Sequence, residues 1–247
     1  MGDLFLLSER QMARISPFFP LSHGVPRVDD RRVVSGIVYV IKHGLQWKDY
    51  GPHKTLYNRF IRWSRLGVFD RIFASLAGEG PKPERIMIDA THLKAHRTAA
   101  SLLKKGMFPR RIGRTKGGLN SKLHTVCDDD GRPIILLLSE GQMSDHKGAR
   151  LVLEALPAAS HLIADRGYDS TWFRAELEAR GIEPCILSSR SRKVSYAYDR
   201  VLYRQRYKVE NLFAKLKDWR RIATRYDRCA HTFFSAICIA ADVIFWL

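Results

Sequence analysis

The chain has 247 residues, 45% of them hydrophobic, which is enough to bury a core in one large domain or two smaller ones. Its 42 Lys and Arg residues exceed its 25 Asp and Glu residues, for a net charge of +17, and this favours a polyanionic partner because neutralised phosphates release condensed counterions. Four widely spaced cysteines without a C-x-x-C motif argue against a zinc site and a disulfide framework, and they fit a reduced cytoplasmic setting.

The N-terminal third is predicted to be helical. Its first residues, MGDLFLLSERQ, lack the basic start and the long apolar stretch of a secretory signal. Apolar residues at helical spacing predict a short helix over residues 7–15 and a longer one over 31–43 that ends at Gly44. A third periodic run covers residues 54–66, with apolar residues on one face and basic residues on the others.

A helix, a turn and a basic amphipathic helix form the outline of a helix-turn-helix, whose second helix can enter the DNA major groove. The sequence therefore predicts a helical DNA-binding domain over residues 1–76. An alternative is a helical bundle with a solvated basic face. The candidate DNA-contacting residues on the third helix are Lys54, Asn58, Arg59 and Arg62.

The stretch AGEGPKPE, residues 77–84, is predicted to be a linker before a second domain over 85–247. Beyond the linker, three strands are followed by alternating helices and strands, which indicates an α/β fold with a mixed sheet flanked by helices. The acidic turn DDDGR joins the second and third strands. The predicted strands are 85–91, 122–127, 133–139, 160–165 and 183–187, and the predicted helices are 144–156, 171–180 and a long one carrying Glu210.

Two acids follow short apolar runs, Asp89 in RIMIDAT and Asp165 in HLIADRGYD. Each could be an ordinary strand-end or capping residue. If the first and fourth strands lie side by side, however, the two carboxylates meet at the strand ends. Asp169 is the rival for the second position, but an N-cap role at the start of the helix over 171–180 explains it, so Asp165 is preferred.

A polar stripe near the C-terminus consists of Tyr203, Arg206, Glu210 and Lys217. At about 100° per residue, these positions fall on one helix face. Arg206 and Glu210 alone could be a surface ion pair. Together with Asp89 and Asp165, Glu210 suggests a three-carboxylate metal site that cuts or joins nucleic acid.

Charge is concentrated beside these acids. Nine basic residues and no acid lie between residues 90 and 127, and nine basic residues against three acids lie between 203 and 228. In the first run, Lys116, Asn120 and Lys122 could line a DNA path. His92 and His96 suggest a metal site of Asp-His-His type, although solvent-facing or phosphate-contacting histidines are the preferred interpretation. The apolar segment 229–247 is interpreted as a buried helix, since it holds His231 and Asp242 and is barely long enough to cross a membrane.

These motifs resemble the bacterial insertion-sequence transposases of the Asp-Asp-Glu class, of the insertion-sequence-five type. The family signature is tyrosine, two residues, arginine, three residues, glutamate, six residues, lysine, and it is met at Tyr203, Arg206, Glu210 and Lys217. Similar stretches run over nearly the whole chain, including IDATHLKAHR, GRTKGGLNSKLH, SEGQMSDHKGAR, LIADRGYDS, LKDWRRIATRYDRCAHTFFSAICIA and WKDYGPHKTLYNRFIRWSRLGVFDRIF.

The resemblance implies a ribonuclease-H-like catalytic domain over 85–247 in which Asp89, Asp165 and Glu210 bind two divalent metals. Mg²⁺ is expected, with Mn²⁺ as a substitute, and no nucleotide cofactor, in agreement with the absence of a G-x-x-x-x-G-K-[ST] motif. It also implies binding of terminal inverted repeats in double-stranded DNA by a homodimer or higher oligomer. We expect a cytoplasmic, nucleoid-associated protein without a membrane partner.

The expected reaction is hydrolysis that frees a 3′-hydroxyl at the element end, followed by attack of that hydroxyl on target DNA. In this hypothesis Asp89 bridges both metals, Arg206 and Lys217 bind flanking phosphates, and Tyr203 orients one. Two alternatives stay open, a catalytically idle or domesticated DNA-binding protein and a nuclease that cleaves without joining.

Overall fold

The computed structural model of the protein describes residues 6–21, 29–101 and 109–247, and the chain divides into two compact units. Unit 1 comprises Met1–Leu76, Ala95–Arg110 and Leu216–Leu247, and unit 2 comprises Ala77–Lys94 and Arg111–Lys215. One boundary between the units falls after Leu76, and residues 77–84, the predicted linker, group with unit 2. Residues 216–247, which the sequence analysis places in the second domain, group with the N-terminal helices instead.

Unit 1 is mainly helical. Ser8 caps its first helix with a capping box, and Gly44, in the left-handed conformation at φ +72°, ends the second helix, as predicted. Its described elements are α1 (Glu9–Ile15), α2 (Asp30–His43), α3 (His53–Arg65), most of α4 (Val68–Gly78), α9 (Arg220–Ala223), β7 (Thr224–Arg225) and α10 (Ala230–Ala241).

Helix α10 explains why the C-terminal segment belongs to unit 1. Ten of its twelve residues are buried, and it packs against α2 and α3, whose apolar faces include Ile37, Phe60 and Trp63. The burial of this apolar surface stabilises the packing of α10 on α2 and α3, which are far from it in the sequence. In the described part of the chain, no helix combines the length and apolar character that a membrane crossing requires.

Unit 2 contains a mixed sheet. Its strands are β1 (Arg85–Ala95), β2 (Gly113–Thr115), β3 (Gly118–Cys127), β4 (Pro133–Glu140), β5 (His161–Ala164) and β6 (Glu183–Ile186). Their order in the sheet is β2-β3-β1-β5-β6, and β4 also pairs with β3. Strands β1, β3 and β4 are antiparallel neighbours, whereas β5 and β6 continue the sheet parallel to β1.

Helices α5 (Asp145–Val152) and α6 (Thr171–Ala179) cover the sheet with a core that includes Ile86, Ile88, Leu162, Phe173 and Leu177. The predicted mixed sheet flanked by helices is confirmed. Strand β1 extends beyond its predicted end at residue 91, and β2 was not predicted because three residues are too few to show a period.

The predicted long helix carrying Glu210 is in fact two helices, α7 (Arg200–Arg204) and α8 (Tyr207–Lys217). The amides of Gln205 and Arg206 bond to carbonyls three residues back rather than four, which interrupts the α-helical ladder. The single helix face proposed for Tyr203, Arg206, Glu210 and Lys217 is therefore wrong, and Arg206 lies in the turn between the helices.

The N-cap of α6 also differs from the prediction. Ser170, not Asp169, caps the helix by accepting a hydrogen bond from the Phe173 amide. Asp169 instead contacts Arg174 and Arg192 at 2.8 and 2.9 Å and accepts from the Ser189 amide. These contacts commit Asp169 to an ion-pair network, which agrees with the preference for Asp165 as the second acid of the site.

Candidate metal centre

Two of the predicted acids come together where the pairing of two neighbouring strands ends. In the parallel register of β1 and β5, Ile88 pairs with Ala164, so Asp89, in the middle of β1, and Asp165, directly after β5, follow the last paired residues. This confirms the predicted adjacency of the two strands. Asp89 accepts a hydrogen bond from the Ala90 amide at 2.7 Å, and Asp165 accepts one from the Gly167 amide at 2.8 Å.

A third carboxylate, which the sequence analysis missed, lies beside Asp165. Asp145 is the first residue of α5, directly after the N-cap Ser144. A Cβ atom on Gly167 would lie 2.9 Å from both Asp145 Oδ2 and Asp165 Oδ1, so these oxygens are at most twice that distance apart. We call Asp89, Asp145 and Asp165 the carboxylate cluster.

Lys122 holds Asp145 in position from β3. Its Nζ lies 2.8 Å from Asp145 Oδ1 and donates a hydrogen bond to the Met143 carbonyl at 3.1 Å. In the sequence, Asp145 appears only as an acid in a helix first turn, which a capping role explains. Its place in the cluster depends on how α5 packs on the sheet, and the residues near Asp145 in the sequence do not predict that packing.

Arg206 connects Asp89 with Glu210. One guanidinium nitrogen, Nη1, donates to Asp89 Oδ2 at 3.1 Å, and the other, Nη2, donates to Glu210 Oε1 at 2.5 Å. The Asp89 side chain is 16% exposed, whereas that of Glu210 is 57% exposed. Arg206 and Glu210 thus form the ion pair that the sequence analysis left open as an alternative, and Arg206 also ties Glu210 to Asp89.

The electrostatics of the cluster favour a cation. Burial raises the pKa of the Asp89 carboxyl to about 6, and the negative charges of Asp165 and Asp145 contribute to the rise, while the Ala90 amide and Arg206 oppose it. Arg206 and Lys122 place two positive charges against the three carboxylates, so the cluster is incompletely neutralised. A bound cation would relieve the remaining repulsion.

The donor set suits a hard divalent metal, because carboxylate oxygens are the ligands that Mg²⁺ prefers in proteins. Gly167 leaves the space between Asp145 and Asp165 free of a side chain. Within the described ranges no group of three His, Cys, Asp or Glu side chains converges closely enough to hold a metal, and Arg206 donates hydrogen bonds to both Asp89 and Glu210. Metal binding at the predicted triad thus requires the Arg206 side chain to shift.

Two tyrosines border the cluster. Burial raises the pKa of the Tyr203 hydroxyl, and the charges of Arg206 and Asp165 both act on it, so Tyr203 lies near the centre. Tyr168 is fully buried, and its hydroxyl has no hydrogen-bond partner among the described residues. The charges of Asp145, Asp89 and Asp165 act on that hydroxyl, which was also missed by the sequence analysis.

The other predicted site residues of unit 2 divide into exposed and buried ones. Lys116 is exposed in the turn between β2 and β3. Asn120 is buried and donates to Thr115 Oγ1 and to the Gly118 carbonyl, so it stabilises that hairpin. Lys122 is buried beside Asp145, and His92 Nε2 lies 3.0 Å from the Gly141 carbonyl oxygen.

In unit 1, Lys54, Asn58 and Arg62 are exposed on α3. Arg59 is instead half-buried, with its guanidinium 3.0 Å from Asp30 and 5.5 Å from the Trp63 ring centre. Lys217 is exposed at the last position of α8. Lys54, Asn58 and Arg62 are therefore accessible to a partner, whereas Arg59 is used to hold α2 and α3 together.

The mixed sheet with its flanking helices, which carries the acidic cluster beside the β1–β5 pairing, defines the class of the protein as a ribonuclease-H-like α/β protein with a helical unit. The family model "Transposase DDE domain" matches residues 80–241, and "Putative transposase of IS4/5 family" matches residues 7–73. The chain belongs to the family of insertion-sequence transposases with a DDE domain, as the sequence motifs predicted.

Two bacterial proteins with similar sequences have matching descriptions. The chain is 32% identical over 130 residues to a "Putative transposase for insertion sequence element IS6501" of Brucella ovis, covering 52% of this chain and 99% of that protein. It is 31% identical over 156 residues to a "Putative transposase for insertion sequence element IS402" of Burkholderia cepacia, covering 56% of this chain and 72% of the relative.

A solved structure shows the same fold. The piggyBac transposase in a synaptic complex with hairpin DNA aligns with a TM-score of 0.56 over 97% of this chain and 72% of that chain. At 10% sequence identity this likeness concerns the fold alone.

Proposed function

We propose that the protein is the transposase of an insertion sequence, which cleaves the ends of its element and joins the freed 3′-hydroxyls to target DNA. The observation that carries this proposal is the arrangement of Asp89 and Asp165 directly after the last paired residues of β1 and β5, with Arg206 connecting Asp89 to Glu210. Membership in the DDE transposase family supports the same reaction.

Asp89, Asp165 and Glu210 would hold two divalent cations, with Mg²⁺ preferred and Mn²⁺ as a substitute. When bound, such ions activate the attacking oxygen and stabilise the leaving oxygen of a phosphodiester. Asp145 would add a fourth carboxylate beside Asp165, held by Lys122. Hydrolysis and strand transfer use the same centre, since water and a 3′-hydroxyl are both oxygen nucleophiles.

The other predicted site residues would position DNA, some from the centre and some from elsewhere on the protein. Arg206, released from Glu210, can contact a phosphate beside the scissile bond, and the Tyr203 hydroxyl can donate to another. Lys116 and the exposed residues of α3, Lys54, Asn58 and Arg62, would contact the DNA backbone or bases. Lys217 remains a proposed phosphate contact, whereas Asn120, Lys122 and Arg59 would act through the elements they stabilise.

The test is Mg²⁺-dependent processing of labelled DNA that carries the ends flanking this gene, with wild-type protein beside Glu210→Gln. We expect nicks at the element boundary and strand-joined products from the wild type, both lost in Glu210→Gln, with end binding retained. Because Glu210 is 57% exposed, the substitution should cost less than about 1 kcal/mol of stability. A variant that still cleaves would remove Glu210 from the centre, and binding without cleavage by the wild type would favour an idle DNA-binding protein.

A further inference from the structure

Unit 1 contains a pocket that the proposed reaction does not use. Its cavity measures about 380 Å³, which is within the range of small-ligand sites. We call it the aromatic pocket. Its lining includes Trp47, Tyr57, Arg221, Tyr226, Asp227 and Arg228.

The most unusual group in the aromatic pocket is the buried cation Arg221. The residue is 9% exposed, and its Nε and Nη1 atoms are shielded from solvent without a hydrogen-bond partner in the described part of the chain. The guanidinium lies 5.3 Å from the Trp47 ring centre, a cation–π distance. A buried charged donor without an acceptor is costly and calls for a ligand that supplies one.

The charges around Arg221 favour an anion. Arg228 lies at the same pocket, exposed, with its Nε donating to the Thr98 carbonyl at 3.3 Å. Asp227 is the opposing acid there, and its carbonyl accepts from Arg225 Nε at 2.8 Å. Two guanidinium groups against one carboxylate leave a net positive site.

The walls favour a flat ring. Tyr57 and Tyr226 are 44% and 41% exposed. The Tyr57 ring meets Trp47 edge to face at 5.7 Å, and one side of the Tyr226 ring packs against His96 at 4.9 Å. Exposed aromatic rings next to arginines are the usual platform for bases of single-stranded nucleic acid.

We propose that the aromatic pocket binds one unpaired nucleotide of a DNA strand, with its phosphate at Arg221 and Arg228 and its base stacked on the tyrosine rings. This inference rests on the proposed action on DNA. A duplex without an unpaired nucleotide could place a phosphate near the arginines, but it would have no free base to stack on the tyrosine rings.

The experiment measures binding of the full chain to a blunt labelled duplex and to the same duplex with a three-nucleotide overhang, by fluorescence anisotropy over a series of salt concentrations. The variants are Arg221→Gln, Arg228→Gln and Tyr57→Leu, with Arg10→Gln as a control that removes an exposed charge outside the pocket. Thermal melting identifies any variant that fails to fold, and Arg228→Gln and Tyr57→Leu alter exposed side chains only.

We expect the wild type to prefer the overhang, and Tyr57→Leu to lose about tenfold in affinity for the overhang alone. Arg228→Gln should lower the slope of log K against log salt by about 1, and Arg10→Gln should leave it unchanged. Equal wild-type binding of both DNAs, or pocket variants that behave like Arg10→Gln, would overturn the pocket inference only. If the wild type binds neither DNA, the proposed function fails as well.

Discussion

Asp145 and Asp165 face each other across Gly167, where one Cβ atom would lie 2.9 Å from an oxygen of each carboxylate. The first acid begins a helix after the antiparallel half of the sheet, and the second follows a parallel strand. The absence of a side chain at position 167 is what allows the two to approach.

Gly167→Ala should therefore disturb the centre without unfolding the protein. The new methyl group must displace both carboxylates, and a displacement of about 1 Å at a catalytic centre can cost on the order of 10²-fold in rate. We expect cleavage to fall by about that factor while the melting temperature stays nearly constant. Gly78→Ala is the matched control, because a Cβ there meets nothing within 4 Å. Full cleavage by Gly167→Ala would show that the separation of the two acids is not critical.

Asp145→Asn should weaken metal binding directly. If Asp145 contributes to the centre, we expect the Kd for Mn²⁺, measured by calorimetry without DNA, to rise by about 10- to 100-fold. Glu140→Gln is the control, since its side chain is 30% exposed against 29% for Asp145 and is also ion-paired, with Arg111 at 3.0 Å. Unchanged affinity in Asp145→Asn would restrict the centre to Asp89, Asp165 and Glu210. A wild type that binds no Mn²⁺ would contradict the metal centre itself.

Although Arg206→Lys keeps the positive charge, we expect it to lose the contacts that Arg206 makes with Asp89 and Glu210. Arg206 uses separate nitrogens for Asp89 and Glu210, and a single ammonium cannot reproduce that fork. We expect lower stability without metal, by about 1 kcal/mol, and a larger gain in melting temperature on adding Mn²⁺ than in the wild type. Thermal denaturation with EDTA and with Mn²⁺ measures both. An equal metal-induced gain in the two proteins would argue that Arg206 does not screen the acids in the metal-free state.

The Asp169 network predicts a pH dependence of stability. Burial alone would raise the pKa of Asp169, but hydrogen bonds from Arg192, the Ser189 amide and Arg174 lower it from 3.8 to about 2. A carboxylate with a lowered pKa stabilises the fold above its unfolded-state pKa, and this contribution is lost as pH falls from about 4 to about 2.

Asp169→Asn should therefore cost about 2 kcal/mol of unfolding free energy at pH 7, with the difference from wild type shrinking below pH 4. Chemical denaturation between pH 2 and 7 measures it. Asp130→Asn, which removes an acid that is 69% exposed and 3.0 Å from Arg132, should change stability by no more than about 0.5 kcal/mol. A constant difference across this range would contradict a lowered pKa at Asp169.

The sequence alone determined the features that depend on a few neighbouring residues. Ser144 and Gly44 mark helix ends through the chemistry of their own turns, and the apolar runs before Asp89 and Asp165 predicted both strands. The family was recognisable for the same reason, since the signature around Glu210 lies in one continuous segment.

Only the tertiary structure decided which distant residues meet. It brought Asp145 to Asp165, buried Lys122 beside Asp145, and interrupted the predicted helix before Glu210. It also grouped the C-terminal helix with the N-terminal ones. The physical reason is that burial of apolar surface and pairing of charges act between segments far apart in the chain. The local periodicity of one segment does not indicate which other segment it will pack against.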